Sequence, residues 1–179
     1  MYNLCKALAR TSDGSRFGVE QRNLRELIPP QDVTEKLVHA YLRTFETVTR
    51  VLHVPTFLAE FHDYFTNPYA QTDAFLVTLM AVMAIGVGFC PDVSGWGAAA
   101  WIQTVQAWVD SSVSRKATVA DVQIACLLLL ARQSSNVDWE SANLHVGALV
   151  QKAMQLGLHI DPSLLPGLSF YAQETRRRL

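Results

Sequence analysis

Residues Asp138 to Pro162 read DWESANLHVGALVQKAMQLGLHIDP, a helix with a marked start and a marked stop. Asp138 is placed to accept from the free N–H groups of a first turn. Ala142, Val146, Leu149, Val150, Ala153 and Leu156 recur at helical spacing and predict one buried face. Gly157 can adopt the left-handed conformation that closes a helix, and Pro162 blocks any restart. The stretch is therefore expected to be a core helix around which the chain is organised, with Gly157 to Pro162 as its fixed exit.

Outward from this helix, apolar spacing stays helical almost throughout. Thr118-Val119-Ala120-Asp121 is a helix-start box for a segment carrying Val122, Ala125, Cys126, Leu127, Leu129 and Leu130. Trp101, Ile102, Val105, Trp108 and Val109 mark another amphipathic helix. Ala74 to Phe89, AFLVTLMAVMAIGVGF, is apolar all round, the pattern of a central helix covered on every side, with Thr72 or Asp73 as its cap. Pro55 suits the first position of a helix whose apolar face is Phe57, Leu58, Phe61 and Phe65. Before it, Asp32 and Glu35 signal a helix start, and Leu37, Val38, Tyr41, Leu42, Phe45 and Val48 share one face. A last helix begins near Phe170 and runs into Arg176-Arg177-Arg178.

Strand alternation never persists, and connections are short. The expected fold is all-α: an antiparallel helical array of about six to seven helices around a buried central helix. Residues 1–28, with a turn at Asp13-Gly14-Ser15 and a short helical turn at Asn23 to Ile28, read as a poorly fixed lead-in or linker remnant, and residues 29–179 as the folded domain.

Composition narrows the function classes. Half of the 179 residues are hydrophobic and 17% are charged, which excludes a disordered chain and predicts a substantial core. A formal net charge of −1 supplies no overall basic field for nucleic acid or acidic membrane. Cys5, Cys90 and Cys126 are widely spaced, which argues against a disulfide framework or a structural zinc site and suits a reducing, intracellular setting. The run from Ala74 to Phe89 is slightly short for a bilayer span and has no basic flanks, so no membrane association is expected.

The candidate chemistry is sparse, and no catalytic, cofactor-binding or metal residues are assigned. His39, His53, His62, His145 and His159 lack metal-site spacing; His53 and His159 sit at helix boundaries, where an imidazole can bond a free backbone group. Cys126 lies among leucines and alanines, surroundings that disfavour a thiolate. Glu60 and Asp63 share a helix face without a further mark of acid–base chemistry. Gly86, Gly88, Gly95 and Gly97 lack the strand-to-helix context of a phosphate loop. Trp96, Trp101, Trp108 and Trp139 are expected to pack in the core, with a pocket for a small hydrophobic effector as the alternative. The three consecutive arginines point in different directions from a helix, so salt-bridging, including with Glu174, is the expected use.

Three short segments carry a family resemblance. Leu52-His53-Val54-Pro55-Thr56-Phe57 resembles the LHxPTF element of the fungal-specific transcription factor domain. Gly157-Leu158-His159-Ile160-Asp161-Pro162 resembles its GLHRDP element, and Glu174-Thr175-Arg176-Arg177-Arg178-Leu179 is similar to its ERRRRLWW element. Each motif alone is weak; three in order across residues 29–179 are fairly specific. The resemblance implies an all-α regulatory region, the middle homology region, of nuclear regulators whose DNA reading belongs to an N-terminal zinc binuclear cluster. Two departures stand out: Ile160 replaces the usual arginine, and the chain stops before the tryptophan pair, so it is expected to be truncated at its C-terminal end. Zinc and DNA contact are expected only in a missing module, with none of either in this chain.

The resemblance implies regulation of transcription by protein contact, self-association or small-molecule sensing. A stand-alone helical interaction module is the first alternative. An enzyme acting on a hydrophobic metabolite is the weaker one, because no acid–base pair, metal set or activated nucleophile is evident.

Overall fold

The computed structural model describes residues 24–93, 97–111, 116–135 and 139–179. The turn at Asp13, the cap at Asp138, Trp96 and the side chain of Trp139 lie outside the described residues. Among the described residues there are eight α-helices and no strand. They are α1 (Gln31–Thr44), α2 (Glu46–Thr49), α3 (Val54–Thr66), α4 (Asp73–Val87), α5 (Ala98–Ser111), α6 (Val119–Ser135), α7 (Trp139–Gln155) and α8 (Phe170–Arg178). The all-α expectation is met, and α2 is the short element it did not separate.

Helix α4 is the structural centre. Thr72 Oγ1 accepts from Phe75 N–H at 3.3 Å and sets its start. From Phe75 to Gly86 every residue but Thr78 is buried, and α1, α5 and α6 all pack on it. Each fully buried aliphatic side chain there contributes about 1.5–3 kcal/mol by removal from water. A Cβ at Gly86 would collide with the backbone carbonyl of Leu37, so α1 and α4 meet backbone to backbone at that point.

Three expectations need correction. The helix from Asp138 is not what the chain is organised around: α7 leans chiefly on α6, and Val146, Val150 and Met154 are exposed. Of the expected face, Leu149 does line the crevice beside α6, together with His145, Ala148 and Lys152, the four spaced i, i+3, i+4 and i+7.

Second, the helix from Gln31 stops at Thr44, and Val48 on α2 is 81% exposed rather than part of the buried face. Leu37, Val38 and Tyr41 are buried as expected. Thr44 and Thr49 bond back to the carbonyls of Ala40 and Phe45, and Arg50 at φ 46° turns the chain away. Asp32 makes no cap; Thr34 Oγ1 instead donates to the carbonyls of Pro29 and Pro30.

Third, residues 24–28 are held against the domain, and the short helical turn expected before Pro29 is present there. Leu24–Leu27 form a 3-10 turn, Arg25 donates to the carbonyls of Pro68 and Gln71, and the Leu27 carbonyl accepts from Trp101 Nε1 at 2.8 Å.

Candidate functional site at the junction of three motif segments

The first motif segment leaves α2 through the left-handed Arg50, with Val51 and Leu52 buried. His53 caps α3: its Nδ1 accepts from Thr56 N–H at 3.4 Å and lies 2.8 Å from Thr56 Oγ1. Pro55 occupies the first turn, where a missing N–H loses nothing. Phe57 is buried, its ring centroid 5.9 Å from that of Phe75 on α4.

Beneath this segment lies Glu46, only 6% exposed. Its carboxylate accepts from the Tyr41 hydroxyl at 2.5 Å and from Leu52 N–H at 3.1 and 3.3 Å. Burial pushes the Glu46 carboxyl above its usual range, against the opposing pull of those two bonds and of the Arg178 charge. Burial and the adjacent Glu46 push the Tyr41 phenol far up as well. From α6, Gln123 Nε2 donates to the Val51 carbonyl at 2.9 Å. Neither Glu46 nor Gln123 was singled out by sequence, because each reads as an ordinary polar helix residue until the break at Phe45 is known.

The second motif segment closes α7. Gly157 has φ 70°; its N–H donates to the Met154 carbonyl at 2.9 Å, and Leu158 N–H reaches the Ala153 carbonyl at 3.0 Å. These two bonds are the Schellman arrangement that a left-handed glycine permits. Asp161 Oδ1 then accepts from Ser163 N–H at 2.9 Å and caps a 3-10 turn, Pro162–Leu164, with Pro162 buried. The bonds from Ser163 hold the Asp161 carboxyl below its usual range. His159 and Ile160 face outward.

The third motif segment ties the other two together. Ser169 caps α8, and Arg176 Nη1 donates to the Leu156 carbonyl at 2.8 Å, at the carbonyl end of α7 where a cation is favoured. On the same helix, Tyr171 meets the His53 ring edge-on at 4.9 Å between centroids. Glu174 pairs with Arg177 at 3.8 Å and Arg178 at 3.2 Å, and Leu179 packs against the core. Helix α8 therefore touches the cap of α3 and the exit of α7, and lends charge to Glu46. Cys126, partly buried, has its thiol pushed up by burial. Among the described residues no group of three or more His, Cys, Asp or Glu could hold a metal ion.

The tryptophans do not form a common pocket among the described residues. Trp101 is 2% exposed and committed to Leu27, and Trp108 packs at the core edge. A crevice lined by none of the tryptophans opens between α5, α6 and α7. Val109, Ala125, Leu128, Leu129 and Leu149 form its floor, and Gln106, Asp110, Arg132, His145 and Lys152 its rim. The Gln106 side chain joins that rim: Oε1 accepts from Arg132 at 2.9 Å, Nε2 donates to Asp110 at 2.7 Å, and His145 Nε2 lies 2.9 Å away.

The model of the fungal specific transcription factor domain matches residues 38–179. The chain is similar to the transcription factor lepE of Aspergillus flavus, 37% identical over 98% of this chain and 22% of that protein. It is likewise 37% identical to the transcription factor opdR of Penicillium oxalicum, over 98% of this chain and 23% of that protein. The transcription factor asR3 of Sarocladium schorii is 32% identical over 84% of this chain and 19% of that protein. The chain thus spans about a fifth of the length of the curated relatives it matches. No solved structure matches.

Proposed function

Because the chain belongs to the fungal specific transcription factor domain family, we propose that it is the regulatory, non-DNA-reading part of a nuclear transcription regulator and acts by protein contact. In such a regulator, zinc and DNA sequence reading belong to a separate module, and the helical region tunes output rather than performing catalysis.

The observation that carries this reading is the exposed apolar row on α7. Val146, Val150 and Met154 follow one another on successive turns with exposures of 43, 52 and 56%, and Phe170 and Tyr171 add to the exposed apolar area on α8. Single exposed apolar residues are ordinary, whereas a continuous row of them supports a contact surface. It lies on the helix that α8 grips, so a partner seated there also bears on the motif junction.

Sedimentation of the chain tests the surface. The wild-type chain is expected to associate with rising concentration, and the Val150→Glu/Met154→Glu variant to remain monomeric with unchanged helix content. A wild-type chain that stays monomeric throughout contradicts self-association by this face. Selection from a random duplex library at physiological salt tests the assignment of DNA reading elsewhere: no motif is expected to be enriched, and a strongly preferred sequence overturns it.

Small-molecule sensing is a second reading, favoured by the crevice between α5, α6 and α7.

A further inference from the structure

A second hollow lies where the first motif segment meets α4, α6 and α8. His53, Thr56, Phe57 and Glu60 fall on one face of the chain at i, i+3, i+4 and i+7, and all four line it. Phe75 and Thr78 of α4, Gln123 of α6 and Tyr171 of α8 add to its wall. Its volume is about 220 Å³. A cavity of about 150 Å³ accommodates benzene, so a single ring with a short polar arm fits. Leu52, Phe57 and Phe75 are buried and give the hollow apolar walls, and the half-exposed Tyr171 brings its ring beside His53.

The polar groups in the wall lean towards acceptors. Gln123 Nε2 already donates to the Val51 carbonyl at 2.9 Å, and Thr78 Oγ1 to the Ala74 carbonyl at 2.8 Å. Thr56 turns both its N–H and its hydroxyl to His53 Nδ1. The Glu60 carboxylate, Gln123 Oε1 and the lone pairs of Thr78 Oγ1, from three helices, are left with accepting capacity. Among the described residues, Glu60 is partly buried without a hydrogen bond or an ion pair, and no lysine or arginine lines the hollow. Burial pushes the Glu60 carboxyl above its usual range with nothing opposing it.

We infer that this hollow binds a small primary ammonium compound with a ring-sized apolar body, its ammonium set on Glu60. A primary ammonium brings three donors and no acceptor, which matches in number the three accepting groups. Its charge meets a partly buried carboxylate that is otherwise unpaired. An anion is repelled by Glu60, and a neutral ring leaves that carboxylate without a partner. The apolar walls favour a hydrocarbon body over a polar one. The inference goes beyond the sensing reading, which concerns the crevice between α5, α6 and α7; the two share no lining residue. It is a statement about binding and holds whether or not occupancy alters regulation.

The test is a titration of the full chain, methyl-labelled at leucine and alanine, with benzylamine at neutral pH, where the amine is protonated. Nuclear magnetic resonance follows it, with benzyl alcohol as the uncharged comparison. Benzylamine is expected to shift the methyls of Leu52, Ala74 and Ala120 saturably, all three from the wall of the hollow. Benzyl alcohol is expected to bind about tenfold more weakly or worse. Glu60→Gln removes a charge that holds nothing else in place, so the rest of the spectrum is expected to stay as it is. In that variant the two probes are expected to bind within about twofold of each other. The proposal is overturned by the absence of a saturable shift at these methyls, or by equal affinities in the wild type. It is equally overturned by saturation at Leu128, Leu129 and Leu149 instead, or by a preference for the amine that survives Glu60→Gln. Such a failure leaves the protein-contact and sensing readings standing, since neither depends on Glu60.

Discussion

At the scale of single residues, the fold turns on a few positions whose neighbours leave no latitude. Gly86 is one: a methyl there meets the Leu37 carbonyl, a backbone atom that cannot rotate aside. Gly86→Ala is expected to lower stability by about 1–3 kcal/mol through overpacking, read as a reduced denaturation midpoint. Gly157 differs in kind. Its added methyl meets nothing closer than Ile160 Cδ1 at 3.7 Å, so the cost lies in φ 70° itself. Gly157→Ala should cost about 1–2 kcal/mol from backbone conformation alone, and an unchanged denaturation midpoint would contradict it. Glu46 makes a prediction about pH. Its folded carboxyl lies above the ordinary 4.5, so the folded chain holds that proton more tightly than the unfolded chain. The stability that comes with the proton is complete below pH 4.5 and is lost as pH rises through the folded value. Stability of the wild type relative to Glu46→Gln is therefore expected to grow as pH falls towards that window. Urea denaturation across pH checks this, and equal pH slopes in the two chains would refute it.

At the scale of elements, legibility followed local chemistry. The caps at Thr72 and His53, the Thr118–Asp121 box and the left-handed Gly157 were all readable because each is a short-range bond pattern with its own residue signature. The box is reciprocal, with Asp121 Oδ2 accepting from Thr118 N–H at 2.9 Å and Thr118 Oγ1 accepting from Asp121 N–H at 3.3 Å. Helix α4 was readable as central because an all-apolar helix must be covered everywhere. The covered face of α7 was not, because periodicity marks where apolar residues lie and not which neighbour meets them. Lys152 and His145 line the crevice at its seam with α6. Meanwhile Val146 and Val150 face away from it.

At the scale of the molecule, the chain divides its labour. A core built on α4 supplies stability, and α7 with α8 forms a less buried flank that carries two of the three motif segments. The meeting of those segments was not legible from sequence, since His53 and Tyr171 lie far apart along the chain and neither contact at α8 has a local signature. Among the described residues no helix is long and apolar enough to cross a membrane. A loosely buried flank gripped at defined points is the kind of element from which regulatory switches are drawn, because it can open without global unfolding.

The most direct test of the account is hydrogen exchange across the Arg176→Met variant. The bond from Arg176 to the Leu156 carbonyl joins α8 to the exit of α7. Its loss should cost about 0.5–1.5 kcal/mol. The account predicts faster exchange in α8 and at the C-terminal turn of α7 together, extending to the Leu52–Phe57 segment, with α1 and α4 unchanged. Faster exchange confined to α8, or none at all, would show that the three motif segments do not act as one junction.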